Sequence, residues 1–198
     1  MNGRSSFFDS RAKDWEKNCY PPEVRVRLDA LIPEFRVESG ATVLDIGTGP
    51  GILLPYLKKR VGNGGRLCAF DISFEMVKEA VKKPMGYSDG VFQADVHFMP
   101  FRSGVFDHVI CFAAFPHFSD PKTALAEMSR TAKHGGSVVI AHLLSREELA
   151  KHHGNHHAVK KDVLPDKEKM TDLFLEAGLE KPYITDVPGR YLAFGLKR

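Results

Sequence analysis

Apolar positions along the chain change period several times, and each change marks a helix or a strand. Over residues 22–35, Val24, Leu28, Leu31 and Ile32 fall at helical spacing and predict an amphipathic helix. The apolar, β-branched run 41–46 that follows Gly40 predicts a buried strand. Residues 52–60 read as a helix that keeps Pro55 in its first turn, where a missing N–H costs least. The alternation then repeats. Residues 66–70 predict a strand, and 73–82 a helix with Phe74, Val77 and Val81 on its apolar face. Strands follow at 90–93 and 106–112, then a helix at 121–131 capped by Ser119 or Asp120. Lys133-His134-Gly135-Gly136 predicts a turn into a strand at 137–142, and 166–177 a helix closed by Gly178. Residues 183–187 and 191–196, separated by Pro188-Gly189, predict a terminal hairpin.

Strands alternating with helices imply an α/β layer with a mostly parallel sheet. Such sheets bind ligands at the carboxyl ends of their strands, so the loops after each strand are where chemistry is to be sought.

Composition narrows the field only modestly. The 198 residues fit one domain, and 28 basic against 25 acidic side chains leave a charge of +3 spread along the chain. No basic stripe or base-binding motif marks a nucleic-acid partner. The first fifteen residues lack a signal-peptide core, and the longest apolar run, 109–115, is too short to span a bilayer. Cys19, Cys68 and Cys111 have no metal-ligand spacing. A cytoplasmic, reducing setting is the expectation.

The loop Asp45-Ile46-Gly47-Thr48-Gly49-Pro50-Gly51 carries the first chemical signal. Its Gly-x-Gly-x-Gly spacing lets a ligand lie against bare backbone. It differs from the Gly-x-Gly-x-x-Gly of dinucleotide sites, which argues against a nicotinamide enzyme. A carboxylate at Asp45 would repel a pyrophosphate but suits the ammonium of an amino-acid ligand. Asp71, at the tip of the second strand, can accept from ribose hydroxyls, and Asp95, after the third, from an adenine amino group. One strand-end Asp means little; three after successive strands mean more.

The residues from Val43 to His142 resemble the Rossmann-like, class I S-adenosylmethionine-dependent methyltransferases, in particular the ubiquinone/menaquinone methylase branch. The resemblance rests on an ordered series: Val43-Leu44-Asp45-Ile46-Gly47-Thr48-Gly49-Pro50-Gly51, Asp71-Ile72-Ser73-x-x-Met76, Ala94-Asp95-Val96-x-x-Met99-Pro100-Phe101, Phe106-Asp107-x-Val109, Phe115-Pro116-His117-Phe118-Ser119-Asp120-Pro121 and Lys133-His134-Gly135-Gly136. It implies a three-layer sandwich with a seven-stranded, mostly parallel sheet ending in an antiparallel hairpin. It also implies S-adenosylmethionine as cofactor, leaving as S-adenosylhomocysteine. Asp45, Gly47, Thr48, Gly49 and Gly51 would cradle it, Asp71 would hold the ribose, Ile72, Met76 and Val96 would flank the adenine, Asp95 would bind its amino group, and Cys111 would line the site. The domain would divide into lid or cap helices at 1–36, a cofactor core at 41–142, a His-rich acceptor-side loop at 143–165, and the last helix with its hairpin at 166–198.

The acceptor, a small molecule, is not legible. His117 is the leading candidate for a polar group near the methyl, against a structural role in its loop; His142 is weaker. The family often has a second histidine at position 116, where this chain has Pro116, so no relative's substrate transfers directly. His97, His108 and His134 read as ordinary loop or strand residues. Between the fifth strand and the last long helix lies Lys151-His152-His153-Gly154-Asn155-His156-His157. Helical spacing would pair His152 with His156 and His153 with His157 around a metal ion or a metal-bearing acceptor. The favoured alternative is a mobile loop covering the acceptor, its histidines exposed or hydrogen-bonded; between the two lies a loop in which one of His152, His153 or His156 acts on the acceptor as base or ligand, with Asp162 and Leu164-Pro165 tying it back. A metal-binding or sensor protein that retains the cofactor fold, with residues 152–157 as its working part, is the runner-up. Phe7, Phe8, Trp15 and Tyr20 read as a lid, or as the apolar face of a capping helix.

Overall fold

The computed structural model describes residues 3–84, 86–154 and 159–198. Seven strands form one sheet in the order β3-β2-β1-β4-β5-β7-β6. They are β1 Thr42–Ile46, β2 Arg66–Asp71, β3 Gly90–Gln93, β4 Phe106–Phe112, β5 Ala132–His142, β6 Leu179–Val187 and β7 Arg190–Lys197. All pairings are parallel except those of β7, which runs against both β5 and β6. The strand order reverses at β1, between β2 and β4, so the switch point falls at the glycine loop.

Two layers of helices cover the sheet. Alternate strand residues point to opposite faces. Leu44, Ile46, Val109 and Ile140 pack towards α6 (Pro121–Thr131) and α8 (Lys167–Glu176). Val43, Ile110, Val139 and Leu192 pack towards α3 (Pro22–Leu31) and α4 (Leu54–Val61). Pro55 does fall in the first turn of α4, and Asp120 caps α6 by accepting from Lys122 N and Thr123 N.

Three expectations change. In α5 (Phe74–Ala80) the buried residues are Met76, Val77 and Ala80, whereas Phe74 and Val81 are about half exposed. The Ser73 cap orients the helix so that Ala80 meets Gly51, turning Phe74 outward. Residues 132–136 belong to β5 itself, pairing Ala132 with Phe106 before a register shift. Part of the supposed loop is a helix, α7 (Arg146–Gly154). It is nucleated by a reciprocal capping box, Glu148 N donating to Ser145 Oγ and Ser145 N to Glu148 Oε2. Leu149 is the apolar anchor beneath it.

Two short helices precede α3: α1 (Gly3–Asp9) and α2 (Ala12–Cys19). Polar contacts tie both to the start and end of α5 and to α3. Asp9 Oδ1 accepts from Ser73 Oγ and Glu75 N at the start of α5, and Glu16 bridges Lys83 and Arg25. No described helix is long and apolar enough to cross a membrane.

Candidate functional site

The loop after β1 is pulled onto the end of β2. Gly47 N and Thr48 N donate to the Phe70 carbonyl, and Gly49 N donates to Asp71 Oδ2 at 2.8 Å. Gly47 has φ +67, and a Cβ there would stand 2.3 Å from that of Ala114 in the loop after β4. Only glycine lets these two loops close on each other. Gly51, at φ +80, gives the same close approach to Leu54 and Ala80.

A cleft of about 120 Å³ opens above this loop. Asp45, Gly47, Thr48, Gly49, Asp71, Ile72, Met76, Asp95, Val96 and His117 all line it. Gly51 lies behind the lining. Cys111 is fully buried in β4, its thiol receiving the Ala114 and Phe115 amides, and does not reach the cleft.

Electrostatics in the cleft are set by buried acids. Asp45 is 1% exposed and accepts the Thr48 hydroxyl at 2.7 Å. Burial pushes its carboxyl up to about 7, with the Thr48 hydrogen bond opposing and the charge of Asp71 adding. None of those influences is a cation. Burial likewise raises Asp71, against the amides of Ser73 and Gly49, which donate to its two oxygens. Asp95 is engaged by His97, whose backbone N and Nδ1 both reach Oδ1. His97 Nε2 in turn accepts from Asp120 N. His97 is therefore a member of the site's wall, a role its loop position in the sequence did not signal. His108, read as an ordinary loop or strand residue, is a buried residue of β4 between Ser137 and Glu38.

Beyond the cleft lies a second cavity of about 550 Å³. Phe8, Trp15, Tyr20, Phe112, Ala113 and His117 line both, so the two spaces meet at His117 and the N-terminal aromatics. Of the residues read as a lid, Phe8, Trp15 and Tyr20 thus sit at the junction, and Phe7 lines the second cavity alone. His142, His152 and His153 line the second cavity alone. His117 Nδ1 lies 2.8 Å from Oδ2 of buried Asp162, and Phe8 packs edge-on against its ring. His153 is buried, its Nδ1 2.6 Å from the Asp162 carbonyl oxygen. His142 Nδ1 receives Leu144 N, and burial, with the neighbouring histidines, pulls its pKa down to about 3.

His156, His157 and Asn155 lie outside the described residues, and with them the pairings on which a metal centre would rest. Among the described residues no three His, Cys, Asp or Glu side chains gather as a metal site, and His152 is an exposed residue of α7. The metal-binding reading draws no support from the fold.

Comparison with known proteins agrees with this geometry. A family model described as a methyltransferase domain matches residues 44–140. An uncharacterised protein of Methanocaldococcus jannaschii is 31% identical over 138 residues, 70% of this chain and 51% of that protein. The ubiquinone/menaquinone biosynthesis C-methyltransferase of Hahella chejuensis is 32% identical over 113 residues, 55% of this chain and 45% of that enzyme. The chain thus spans about half the length of these curated relatives. A crystal structure of an S-adenosylmethionine-dependent methyltransferase from Aquifex aeolicus shares the fold, with a TM-score of 0.77 at 24% identity, covering 96% of this chain and 98% of that one.

Proposed function

We propose, since the chain belongs to the class I, Rossmann-like methyltransferase family and is similar to its ubiquinone/menaquinone methylase branch, that it binds S-adenosylmethionine in the cleft and methylates a small molecule held in the adjoining cavity. The observation that carries this reading is Asp45: a buried carboxyl pushed up to about 7 beside a glycine loop, moved by no cation of the protein's own. A ligand ammonium would restore its charge. Asp71 faces the same cleft from the end of β2 and suits the ribose hydroxyls. Ile72 and Val96 flank the position of an adenine, and Asp95 its amino group.

When bound, the cofactor supplies a methyl already made electrophilic by the sulfonium. The protein's task is to place the acceptor in line and keep water out, which can account for several kcal/mol of a transfer barrier, roughly 7–11 in favourable cases. Phe8, Trp15, Tyr20 and Phe112 wall the junction with apolar surface, and His117 is the polar group set among them.

Incubation of the purified chain with methyl-labelled S-adenosylmethionine and a panel of phenol, thiol, amine and metalloid acceptors tests this. Label transferred to one class, with release of S-adenosylhomocysteine, is expected. Tight cofactor binding with no transfer to any class would leave a binding protein and end the enzymatic reading.

A further inference from the structure

Asp95 is held in one orientation by a histidine whose two ring nitrogens both have partners. Asp120 N, an amide that can only donate, lies 3.2 Å from His97 Nε2. Nε2 therefore offers its lone pair, and the proton of the neutral imidazole resides on Nδ1. That proton is given to Asp95 Oδ1, 2.5 Å away, which also receives His97 N at 2.9 Å. Two donors thus converge on Oδ1. Among the described residues none donates to Oδ2, and Asp95 lines the cleft.

The far end of this series of bonds is rigid. Asp120 caps α6, its carboxyl accepting from Lys122 N, Thr123 N and Thr123 Oγ1. Ala124, Leu125 and Met128 bury that helix in the core. The rest of the loop after β3 is strapped to the same helix. Met99 N donates to Glu127 Oε2, and Arg130 donates to the carbonyls of Met99 and Phe101. Those contacts fix backbone. Among the described residues, His97 alone carries the hold to the carboxyl itself.

The consequence is chemical. A pinned carboxyl offers Oδ2 in one fixed direction, suited to a donor such as the exocyclic amino group of adenine. Hypoxanthine presents a carbonyl oxygen at that position, so an acceptor would face an acceptor. A carboxyl free to turn could follow to the neighbouring N1–H of hypoxanthine, whereas one held at Oδ1 by two donors cannot. A site whose polar groups are fixed in this way rejects the analogue that lacks the matching donor.

We infer that His97, in its Nδ1-protonated form and braced against the start of α6, is a positioning residue that pins Asp95 and so makes the cleft select adenine over hypoxanthine. This rests on the cofactor reading above, in which Asp95 meets the adenine amino group.

The first test needs no ligand. Long-range proton–nitrogen correlation spectra of the ¹⁵N-labelled full chain should show His97 protonated on Nδ1. Protonation on Nε2 would overturn the inference, whatever any variant does. The second test compares affinities for S-adenosylhomocysteine and its deaminated analogue, S-inosylhomocysteine. The wild type should prefer the adenine compound about 10- to 100-fold, the difference made by a hydrogen bond to a charged group. In His97→Ala that preference should shrink about tenfold. In His97→Asn, whose amide can donate in place of Nδ1, part of it should return. Both variants lose the bond to Asp120 N, so recovery with Asn separates the aim of Asp95 from loosening of the loop. An alanine variant with the wild-type preference, an asparagine variant no better than alanine, or a wild type that binds both compounds equally would refute the inference. A chain that binds neither compound refutes the cofactor reading instead.

Discussion

Replacing Asp45 with Asn should make the cofactor-free protein more stable at pH 8 while weakening its hold on the cofactor. The folded carboxyl is raised from 3.8 to about 7 by burial. The folded state therefore holds its proton more tightly than the unfolded chain does. Stability is unaffected below about pH 4, falls as pH rises towards 7, and levels off above it. Each pH unit in that window costs about 1.4 kcal/mol, so the full penalty above pH 7 is about 4 kcal/mol. Asn removes the charge but keeps an oxygen for the Thr48 hydroxyl, 2.7 Å away in the wild type. Urea unfolding of both proteins at pH 8 and pH 4 measures the difference, which should be large at pH 8 and close to zero at pH 4. The same substitution removes the partner of the cofactor ammonium, a charge-assisted bond worth about 1.5–3 kcal/mol, or roughly 10- to 100-fold in affinity. In the wild type, affinity should fall about tenfold per unit as pH drops below 7, because Asp45 must ionise to receive that ammonium. An Asn variant no more stable than wild type at pH 8, or one that binds the cofactor equally well with the same pH dependence, would refute this assignment of Asp45.

Three other substitutions probe the frame around the cleft. Gly47→Ala places a Cβ 2.3 Å from that of Ala114 at a φ of +67. It should cost more than the 1–3 kcal/mol of backbone strain alone and lower the Tm visibly. Asp9→Ala removes the acceptor of Ser73 Oγ and Glu75 N, a cap worth about 1 kcal/mol, and should speed limited proteolysis near residues 9–20 with little change in global unfolding. Phe74→Ser, at a position 53% exposed, should shift stability by no more than about 0.5 kcal/mol, where a helix face read from the sequence alone would require a large loss.

Much of the cleft was legible because its residues follow strands, and strands announce themselves. Asp45 and Asp71 lie at the carboxyl ends of β1 and β2, Asp95 two residues beyond β3, and the Gly-x-Gly-x-Gly spacing after Asp45 marks a loop that a ligand can approach closely. The misreadings have local causes. Phe74 and Val81 share a helical face with Val77, but the Ser73 cap and the contact of Gly51 with Ala80 set which face turns inward, and neither follows from periodicity. Cys111, assigned to the site by the resemblance, belongs to a strand buried on both faces and packs into the core instead. The helix α7 had a readable signal, Ser145-Arg146-Glu147-Glu148, that the conspicuous histidines after it obscured. The contact of Asp162 with His117 spans 45 residues of chain and that of His97 with Asp120 spans 23, so neither pairing follows from local sequence.

The central claim is that the cleft above the glycine loop is built for S-adenosylmethionine, and one titration tests it most directly. Calorimetry of the purified chain with S-adenosylhomocysteine at pH 8, with NAD as competitor, should show saturable one-to-one binding that NAD does not displace and that Asp71→Ala abolishes. Absence of binding, or binding of NAD in its place, would contradict the account.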